Sequence, residues 1–400
     1  MVRYHLQRVR TGEWLSRDFP VRGGAQSLAL SGPGQVMGAV DGREASRIAG
    51  DGLPFLDKWS TAIYAAEGRR IIHGGIIQHR GFTPDGLVAF TAPGFCSYPT
   101  GMPWTAHPLP SGAGTLDPTI PLETIYAVLD GQDRNPIRIF RAIWLYIQAQ
   151  PRSNIGLEVD DIGGWHEQLS VRQGTLTIGT NQEPYGLSWW ANTDLGAELN
   201  NLAANTPFDY NELHSFSDDM ATVKHRLQIG TPRLGGRRED LRFAVGENIV
   251  VPMEFEESEY ANEIWGIGKG NGAASIRVST AVDDGRLRRP RTYTDKTSSR
   301  ERITTQVRDQ LTKLLDPVEI STMVVVDHRN APLSALSVGD EILAPVEHHG
   351  RTESAMWVRI VGIDYTDGSG HAALSVQRAS AFNYSTTFAE GADFGDIGDG

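Results

Sequence analysis

The sequence GIIQHRGFTPDGLVAF, residues 75–90, decides the fold. Its two ends have the composition of strands. They are joined by Thr83-Pro84-Asp85-Gly86, a turn in which proline presets φ and glycine accepts a positive φ. A similar order of strand, Asp-Gly turn and strand returns at GIDYTDGSGHAALSV, residues 362–376. Any two hairpins with Asp-Gly turns share these features. The alternative is that one chain contains two related β units.

The composition indicates a folded, β-rich protein. The chain has 400 residues, of which 40% are hydrophobic and 22% charged. That length is enough for roughly two to three domains with cores of their own. The 44 glycines and 21 prolines favour many turns and therefore many short strands, so an all-α fold is disfavoured. The single cysteine, Cys96, excludes an internal disulfide and a cysteine-based zinc site.

The charge balance argues against a surface that holds nucleic acid. Lysines and arginines number 37 against 49 aspartates and glutamates, a net charge of −12, whereas phosphate binding needs concentrated basic side chains. No apolar run approaches the ~18 residues of a membrane-spanning helix. The first eight residues lack the apolar core of a signal peptide. We therefore expect a soluble chain made in the cytoplasm, with no membrane-spanning segment.

Periodicity predicts a series of strands with three helices. Residues 2–7 alternate apolar and polar side chains, which is typical of a half-buried strand. Further strands are expected at 27–31, 35–40, 59–65, 70–79, 74–82, 87–92, 174–179, 224–229, 241–245, 248–255, 274–280, 324–327, 340–345, 357–365 and 372–377. Helices are expected from Pro136 to before Pro151 with Asn135 as cap, at 193–204 with Thr193 as N-cap, and up to Leu315 with Ser298 and Glu301 as a capping box. The first hundred residues are interpreted as one small barrel or sandwich. Seven prolines between residues 93 and 121 indicate a domain boundary.

Cys96 is the first candidate for chemistry. With His79 or His107 it could form a thiol–imidazole pair, but a lone cysteine in a proline-rich segment is more often a packing residue. The glycine-rich residues 266–272 lack the Lys-Ser/Thr ending and the following helix of a phosphate-binding loop. We interpret them as a turn or a bulged strand with a close backbone approach.

Two further groups resemble metal sites only in part. Glu158, Asp160 and Asp161 could bind calcium or act as paired carboxylates, yet no Asp-x-Asp-x-Asp-Gly loop follows. His348 and His349 lack further ligands at metal spacing. We interpret the first group as a solvated acidic turn and the second as an exposed loop. The sequence therefore predicts no catalytic residue, no metal site and no cofactor.

Two more groups point to binding. Trp189 and Trp190 could form a platform for a sugar ring, although paired tryptophans beside a helix are more often core or interface residues. A basic cluster could contact DNA or an acidic partner, and on an acidic chain a subunit contact or a solvated face is the more common role. The cluster consists of Arg286, Arg288, Arg289 and Arg291.

Taken in order, several segments resemble the hub proteins at the distal end of phage tails, which are minor tail proteins in long-tailed phages. No single segment is specific; their order and spacing over residues 1–382 carry the resemblance. The segments are Gly12-Glu13-Trp14, Asp18-Phe19-Pro20, residues 59–64, residues 73–76, residues 194–196, residues 208–210, residues 227–235, residues 339–342 and residues 357–360.

The resemblance implies a mainly β fold with α+β insertions: two related small antiparallel β-barrels plus inserted α/β domains. The implied domains are a first hub barrel at 1–110, an inserted α/β domain at 111–205, a second barrel at 206–252 and 316–382, an insertion in it at 253–315, and a flexible acidic tail at 383–400. It also implies a homotrimer, because three chains with two similar units each can match a sixfold tube. An acidic lumen would suit the passage of DNA, since phosphates are repelled there.

The function implied is that of a structural virion protein at the tail tip, without catalysis. Expected partners are a second and a third copy of the chain, the distal tail protein ring, the tape-measure carboxyl terminus, and receptor-binding or tail-fibre proteins. DNA would pass transiently, without specific binding. The alternatives are a tail-tip module that binds or hydrolyses cell-wall glycans and, less well supported by the charge, a nucleic-acid-binding protein.

Overall fold

The computed structural model describes residues 2–104, 136–161, 193–205, 208–253, 260–296, 299–315, 321–345, 347–348, 351–352 and 355–379. The first strands are β1 (Arg3–Arg8), β2 (Trp14–Phe19), β3 (Arg22–Ala29), β4 (Gln35–Asp41), β5 (Thr61–Glu67), β6 (Arg70–Ile76), β7 (His79–Phe82), β8 (Leu87–Pro93), β9 (Leu157–Val159), β10 (Asp209–Phe216) and β11 (Val223–Gly230). The later strands are β12 (Ile249–Val251), β13 (Glu263–Ile267), β14 (Arg277–Ala281), β15 (Pro290–Thr294), β16 (Ser321–Val326), β17 (Glu341–Ala344), β18 (Glu347–His348), β19 (Arg351–Thr352), β20 (Met356–Thr366) and β21 (His371–Arg378). The helices are α1 (Gly42–Ala45), α2 (Pro136–Ala149), α3 (Leu195–Asn205) and α4 (Arg300–Leu315), and short 3-10 turns lie at Phe95–Ser97, Gly272–Ala274 and Leu333–Ala335.

The protein is mainly β, with several antiparallel sheets. The largest sheet runs β12-β16-β21-β20-β3-β4-β8-β7, with β17 paired to one end of β20. A second sheet has the order β2-β1-β5-β6. The predicted separate barrel of the first hundred residues is therefore wrong in one respect: strands β3, β4, β8 and β7 continue directly into the C-terminal strands. No closed barrel is found in the described part of the chain.

The first strand differs from its expected burial. Only Arg3 is exposed in β1, and both faces from Tyr4 to Arg8 are buried, so the strand is not half-buried. The polar face is buried because its side chains find partners inside the protein. On that face His5 packs edge-on against Phe216, with ring centroids 5.4 Å apart, and Gln7 donates a hydrogen bond of 2.8 Å to the carbonyl oxygen of Gly12. On the face of Tyr4 and Leu6, Arg8 forms a forked ion pair with Asp51, with Nε 2.6 Å and Nη2 2.9 Å from the carboxylate oxygens.

The helices form where their apolar spacing predicts. Helix α2 buries Ile139, Ile143 and Ile147 in a core that it shares with α3 and the sheet β10-β11-β9. The cap of α3 is Asp194 rather than the predicted Thr193. Its carboxylate accepts hydrogen bonds from the backbone N–H of residues 196 and 197, at 2.9 and 3.2 Å, as an N-cap does. No helix among the described residues is long and apolar enough to span a bilayer.

Other predictions differ in extent or cannot be compared. Residues 241–245 form no strand, since only an isolated bridge joins Val245 to Ile249. Strand β12 forms part of the strand expected at 248–255, whose last two residues lie outside the described ranges. The strand expected at 27–31 begins earlier, as β3. The cap residues Asn135 and Ser298, the strand at 174–179 and the tail at 383–400 lie outside the described residues.

Residues 260–315 form a small module in which α4 covers one face of the sheet β14-β13-β15. The buried apolar residues of α4 are Ile303, Val307 and Leu311, which pack with Ile264 of β13. Gly266 makes this packing possible. A Cβ placed there would come closer than 3.0 Å to side-chain atoms of Val307 and Ile303. The predicted close backbone approach in the glycine-rich segment is therefore found, in a strand under a helix.

Gly266→Val should destabilise the protein by about 1–3 kcal/mol, because the added side chain overpacks the contact between β13 and α4. Chemical denaturation measures the loss, and limited proteolysis should show earlier cleavage within residues 260–315. Gly50→Ala is the matched control, since a Cβ at Gly50 meets no atom within 4 Å. Equal stability of the Gly266 variant and the wild-type protein would contradict the packing argument.

Candidate assembly site

Two series of four strands follow each other along the largest sheet. In both series, the strands stand in the same order relative to the chain: first, second, fourth, third. The series β12-β16-β21-β20 is followed by β3-β4-β8-β7, and every pairing along this path is antiparallel. Strand directions therefore alternate, so each strand of the first series runs the same way as its counterpart in the second. The hairpin β20–β21 occupies the position of β7–β8. These are the two hairpins whose sequences resemble each other, which favours two related β units.

The two series join through β20 and β3. Residues 362–366 pair in continuous antiparallel register with residues 25–29, from Gly362 opposite Ala29 to Thr366 opposite Ala25. A side-chain contact supports the junction: Tyr4 donates a hydrogen bond of 2.7 Å to Asp367. In the two series, β20 corresponds to β7 and β3 corresponds to β12. The chain thus already contains one pairing between a β7-like strand and a β12-like strand.

The outer strands β7 and β12 end the sheet. Within the described residues β7 pairs only with β8, and β12 pairs only with β16 apart from the bridge between Val245 and Ile249. Both edges expose large apolar side chains: Phe82 is 80% exposed and Val250 is 54% exposed. An unpaired edge with apolar side chains is a template for pairing with another chain. We identify these two edges as the candidate assembly site.

Strand β10 holds the two β units together with buried carboxylates on its two faces. Asp209 accepts a hydrogen bond of 2.5 Å from Nη2 of Arg359, a β20 residue with no exposed surface. The same guanidinium donates to the carbonyl oxygens of Leu234 and Gly339, at 2.7 and 3.1 Å. Asp209 also accepts from the backbone N–H of Leu234 at 3.0 Å. One end of β10 is thereby fixed to the second β unit.

Glu212 binds the first β unit. Its carboxylate accepts hydrogen bonds from the backbone N–H of Phe95 at 2.6 Å and of Cys96 at 3.0 Å. Oε1 also lies 2.9 Å from Nε2 of His214. Nδ1 of His214 lies 2.9 Å from Nδ1 of His225, so one ring must donate and the other accept.

Burial and this network shift several pKa values. Burial opposes the ionisation of Glu212, but the hydrogen bond and charge of His214, together with His73 and the Cys96 N–H, lower its pKa to about 2. Burial lowers the pKa of His73 to about 4, against the attraction of Glu212. Burial and the proximity of His214 lower the pKa of His225 to about 3.

Cys96 does not have the surroundings of a nucleophile. Burial, then the negative charge of Glu212, raises the pKa of its thiol well above the usual value, whereas an activated cysteine has a lowered pKa. His79 is an exposed residue of β7, and His107 lies outside the described residues. The structural interpretation of Cys96 agrees with these observations.

The acidic turn is held by arginines. Asp160 binds Arg226 through two contacts of 2.5 and 2.9 Å, and Asp161 accepts a bond of 2.6 Å from Arg141. Glu158 is an exposed residue of β9. Across the described ranges, no group of three His, Cys, Asp or Glu side chains is arranged to hold a metal ion. Trp189, Trp190, His349 and the side chain of His348 lie outside what the structure describes.

The fold of the chain is similar to that of a solved prophage tail protein. The chain is similar to the 43 kDa tail protein of prophage MuSo2 from Shewanella oneidensis, with 11% identity and a TM-score of 0.53 over 95% of this chain and 99% of that one. The tail protein of Neisseria meningitidis MC58 gives 11% identity and a TM-score of 0.48 over 95% and 98% of the two chains. Prophage tail protein gp18 of Listeria monocytogenes EGD-e gives 12% and 0.47 over 93% and 94%. No family model and no curated protein matches the chain.

The resemblance to tail proteins predicted from the sequence is thus confirmed as a likeness of fold over nearly the whole chain. The buried residues of β10 were not predicted. Asp209 and Glu212 stand in a segment where polar and apolar residues mix without a clear period. The one available signal was the density of ionisable side chains in a segment already expected to be β-rich.

Proposed function

We propose that the chain is the subunit of a homotrimeric hub in a phage tail tip. The hub would join the sixfold tail tube and the distal tail ring to a threefold tip, and would enclose the channel for the tape-measure protein and DNA. The observation that supports this function is the tandem pair of four-stranded series with its two unpaired edges.

The supporting argument concerns symmetry. A threefold assembly presents six equivalent surfaces only when each chain carries two similar units. In this chain, β20 of one series pairs with β3 of the next. Strand directions alternate along the sheet, so β7 of one copy and β12 of a neighbour would also meet antiparallel. Each chain would contribute one such pairing within itself and one with its neighbour. Three chains joined in this way would therefore repeat the same kind of strand pairing six times around a ring.

The remaining parts of the proposal follow the hub layout. The two β units, the insertions at 111–205 and 253–315 and the tail at 383–400 would be its domains. The ring would sit in the virion tail tip and contact the distal tail protein, the tape-measure carboxyl terminus and receptor-binding or fibre proteins. Its role would be structural, without catalysis. The raised pKa of Cys96 supports that view for one candidate nucleophile.

Light scattering of the purified chain tests the assembly. We expect a mass of about three times 43.8 kDa. Phe82→Lys should lower this mass to that of a monomer, because a lysine on an unpaired edge opposes strand addition. The melting temperature should stay within a few degrees, since Phe82 is 80% exposed in the single chain.

Leu145→Lys is the matched control, because Leu145 is 54% exposed on α2 and far in sequence from both edges. It should leave the trimer intact. A trimer that survives Phe82→Lys and Val250→Lys would exclude these edges as the interface. A monomeric wild-type chain that also fails to form rings with a distal tail protein would exclude the hub.

A further inference from the structure

The module of residues 260–315 differs from the rest of the chain in charge. It contains 11 lysines and arginines against six aspartates and glutamates, a net charge of +5 in a chain of net charge −12. Four of these arginines stand within six residues, 286–291. The chain thus concentrates positive charge on one insertion.

The loop before β15 is held in one conformation by Asn262. This side chain is 5% exposed; its Oδ1 accepts a bond of 2.7 Å from the N–H of Arg289, and its Nδ2 donates to Asp284 and to the carbonyl oxygen of Leu287, both at 3.3 Å. The loop presents Leu287 to solvent with 87% exposure. A fixed loop loses little entropy on binding, so the exposed leucine is a preorganised anchor.

Arginines surround this anchor. The Arg286 guanidinium lies 4.8 Å from the ring centroid of Tyr260, and Arg288 forms a fork with Glu263 whose longer arm is 2.9 Å. Arg289 and Arg291 are exposed and pair with no carboxylate in the described ranges. The four arginines line an open cavity of about 880 Å³ together with Tyr260, Leu287 and Pro290.

Apolar side chains accompany the arginines on the same module. Trp265 is 41% exposed and Val282 is 40% exposed. Arginine, tryptophan and tyrosine are the residues that dominate protein–protein contacts. Phosphate groups alone would pair with the arginines only, whereas a polypeptide can also supply apolar side chains to pack on Leu287. The composition of this surface therefore fits an acidic polypeptide with apolar side chains.

Residues 380–400 of the chain have that composition. They contain four acidic side chains and no lysine or arginine, and they also contain three phenylalanines, a tyrosine and an isoleucine. The acids recur every third residue: Glu390, Asp393, Asp396 and Asp399.

The segment is also connected to the module by a short path along the chain and the sheet. In the sheet, Val376 of β21 lies opposite Ser321, the first residue of β16. Ser321 follows Leu315, the end of α4, by six residues. A 21-residue segment can span up to about 70 Å when extended, so it can reach the arginine loop. Its tether gives an effective concentration of the order of millimolar.

We propose that residues 380–400 bind the arginine surface of the module, with the acids paired to Arg289 and Arg291 and an aromatic side chain packed on Leu287. The inference does not depend on the hub function. An acidic partner of this surface would have to displace the segment first.

Fluorescence anisotropy tests the contact with the full-length chain. The probe is a labelled synthetic peptide of residues 380–400. In the full-length variant Glu390→Gln/Asp393→Asn/Asp396→Asn/Asp399→Asn, the chain's own segment lacks the charge with which it would compete against this peptide. We expect binding that weakens as NaCl is raised from 50 to 500 mM, because the charges are exposed. Adding Arg289→Glu/Arg291→Glu to this variant should weaken binding at least tenfold.

Arg10→Glu/Arg22→Glu is the control of equal charge change, at exposed residues outside the module, and should alter affinity less than twofold. A peptide with the four acids replaced by amides should bind at least tenfold more weakly. Equal affinity for both peptides, or equal effects of the two arginine pairs, would overturn the proposal. Circular dichroism confirms that each variant is folded.

Discussion

Lowering the pH from 7 to 5 should destabilise the folded chain by about 4 kcal/mol, mainly through two buried histidines. The unfolded chain takes up a proton on each histidine near pH 6.5. In the folded chain His73 stays neutral down to about pH 4 and His225 to about pH 3, because burial disfavours their charged forms. Stability is therefore complete above pH 6.5 and is lost as the pH falls from there towards 4.

Burial keeps His73 and His225 neutral, against the attraction of the Glu212 carboxylate. The carboxylate already accepts two backbone N–H groups and lies beside His214. A proton on both His214 and His225 would place two N–H groups face to face across 2.9 Å. Glu212 adds a second acid-sensitive step at lower pH, because its pKa of about 2 lies below the unfolded value.

Denaturant titrations at pH 7, 6 and 5 measure the effect. Averaged over this range, the free energy of unfolding should fall by about 1 kcal/mol per pH unit for each histidine. The ring centroids of His225 and Phe95 lie 4.1 Å apart, and His225→Phe keeps a ring in this stack. This variant should remove about half of the pH dependence of the free energy of unfolding. His79→Gln changes an exposed histidine and should leave the slope unchanged. An unaltered slope in His225→Phe would show that this cluster does not control acid sensitivity.

The sequence predicted the hairpins and helices well because local rules govern them. The hairpin β5–β6 turns at Gly68, which adopts φ +59°, and β7–β8 turns at Gly86, with φ +78°. Helix α2 begins at Pro136, as expected for a proline in the first turn of a helix. Such features depend on a few neighbouring residues, so they can be read without the rest of the chain.

Long-range pairing could not be predicted in the same way. The joint between β3 and β20 links residues more than 330 positions apart, and no local pattern marks it. Burial of β1 on both faces depends on residues distant in sequence, such as Phe216, whose ring packs edge-on against His5. The candidate assembly site was predicted only as an expectation of two related units. The edges themselves became identifiable once strand order was known.

Arg359→Leu should destabilise the protein by about 3–5 kcal/mol, the other large effect that the structure predicts. Removing the guanidinium leaves the buried carboxylate of Asp209 without its countercharge, and two carbonyl oxygens lose a donor. Arg226→Leu is the matched control. Its ion pair with Asp160 is partly exposed, with the arginine side chain 53% accessible, and exposed pairs contribute only about 0–1 kcal/mol.

The double variant Arg359→Leu/Asp209→Asn distinguishes charge from shape. Asparagine can still accept the hydrogen bond from the N–H of Leu234, now 3.0 Å, but it carries no charge to bury. If the uncompensated charge dominates the loss, the double variant unfolds at a higher denaturant concentration than Arg359→Leu alone. If the two losses simply add, the packing of Arg359 between β10 and β20 is what fixes the second β unit to the centre of the molecule.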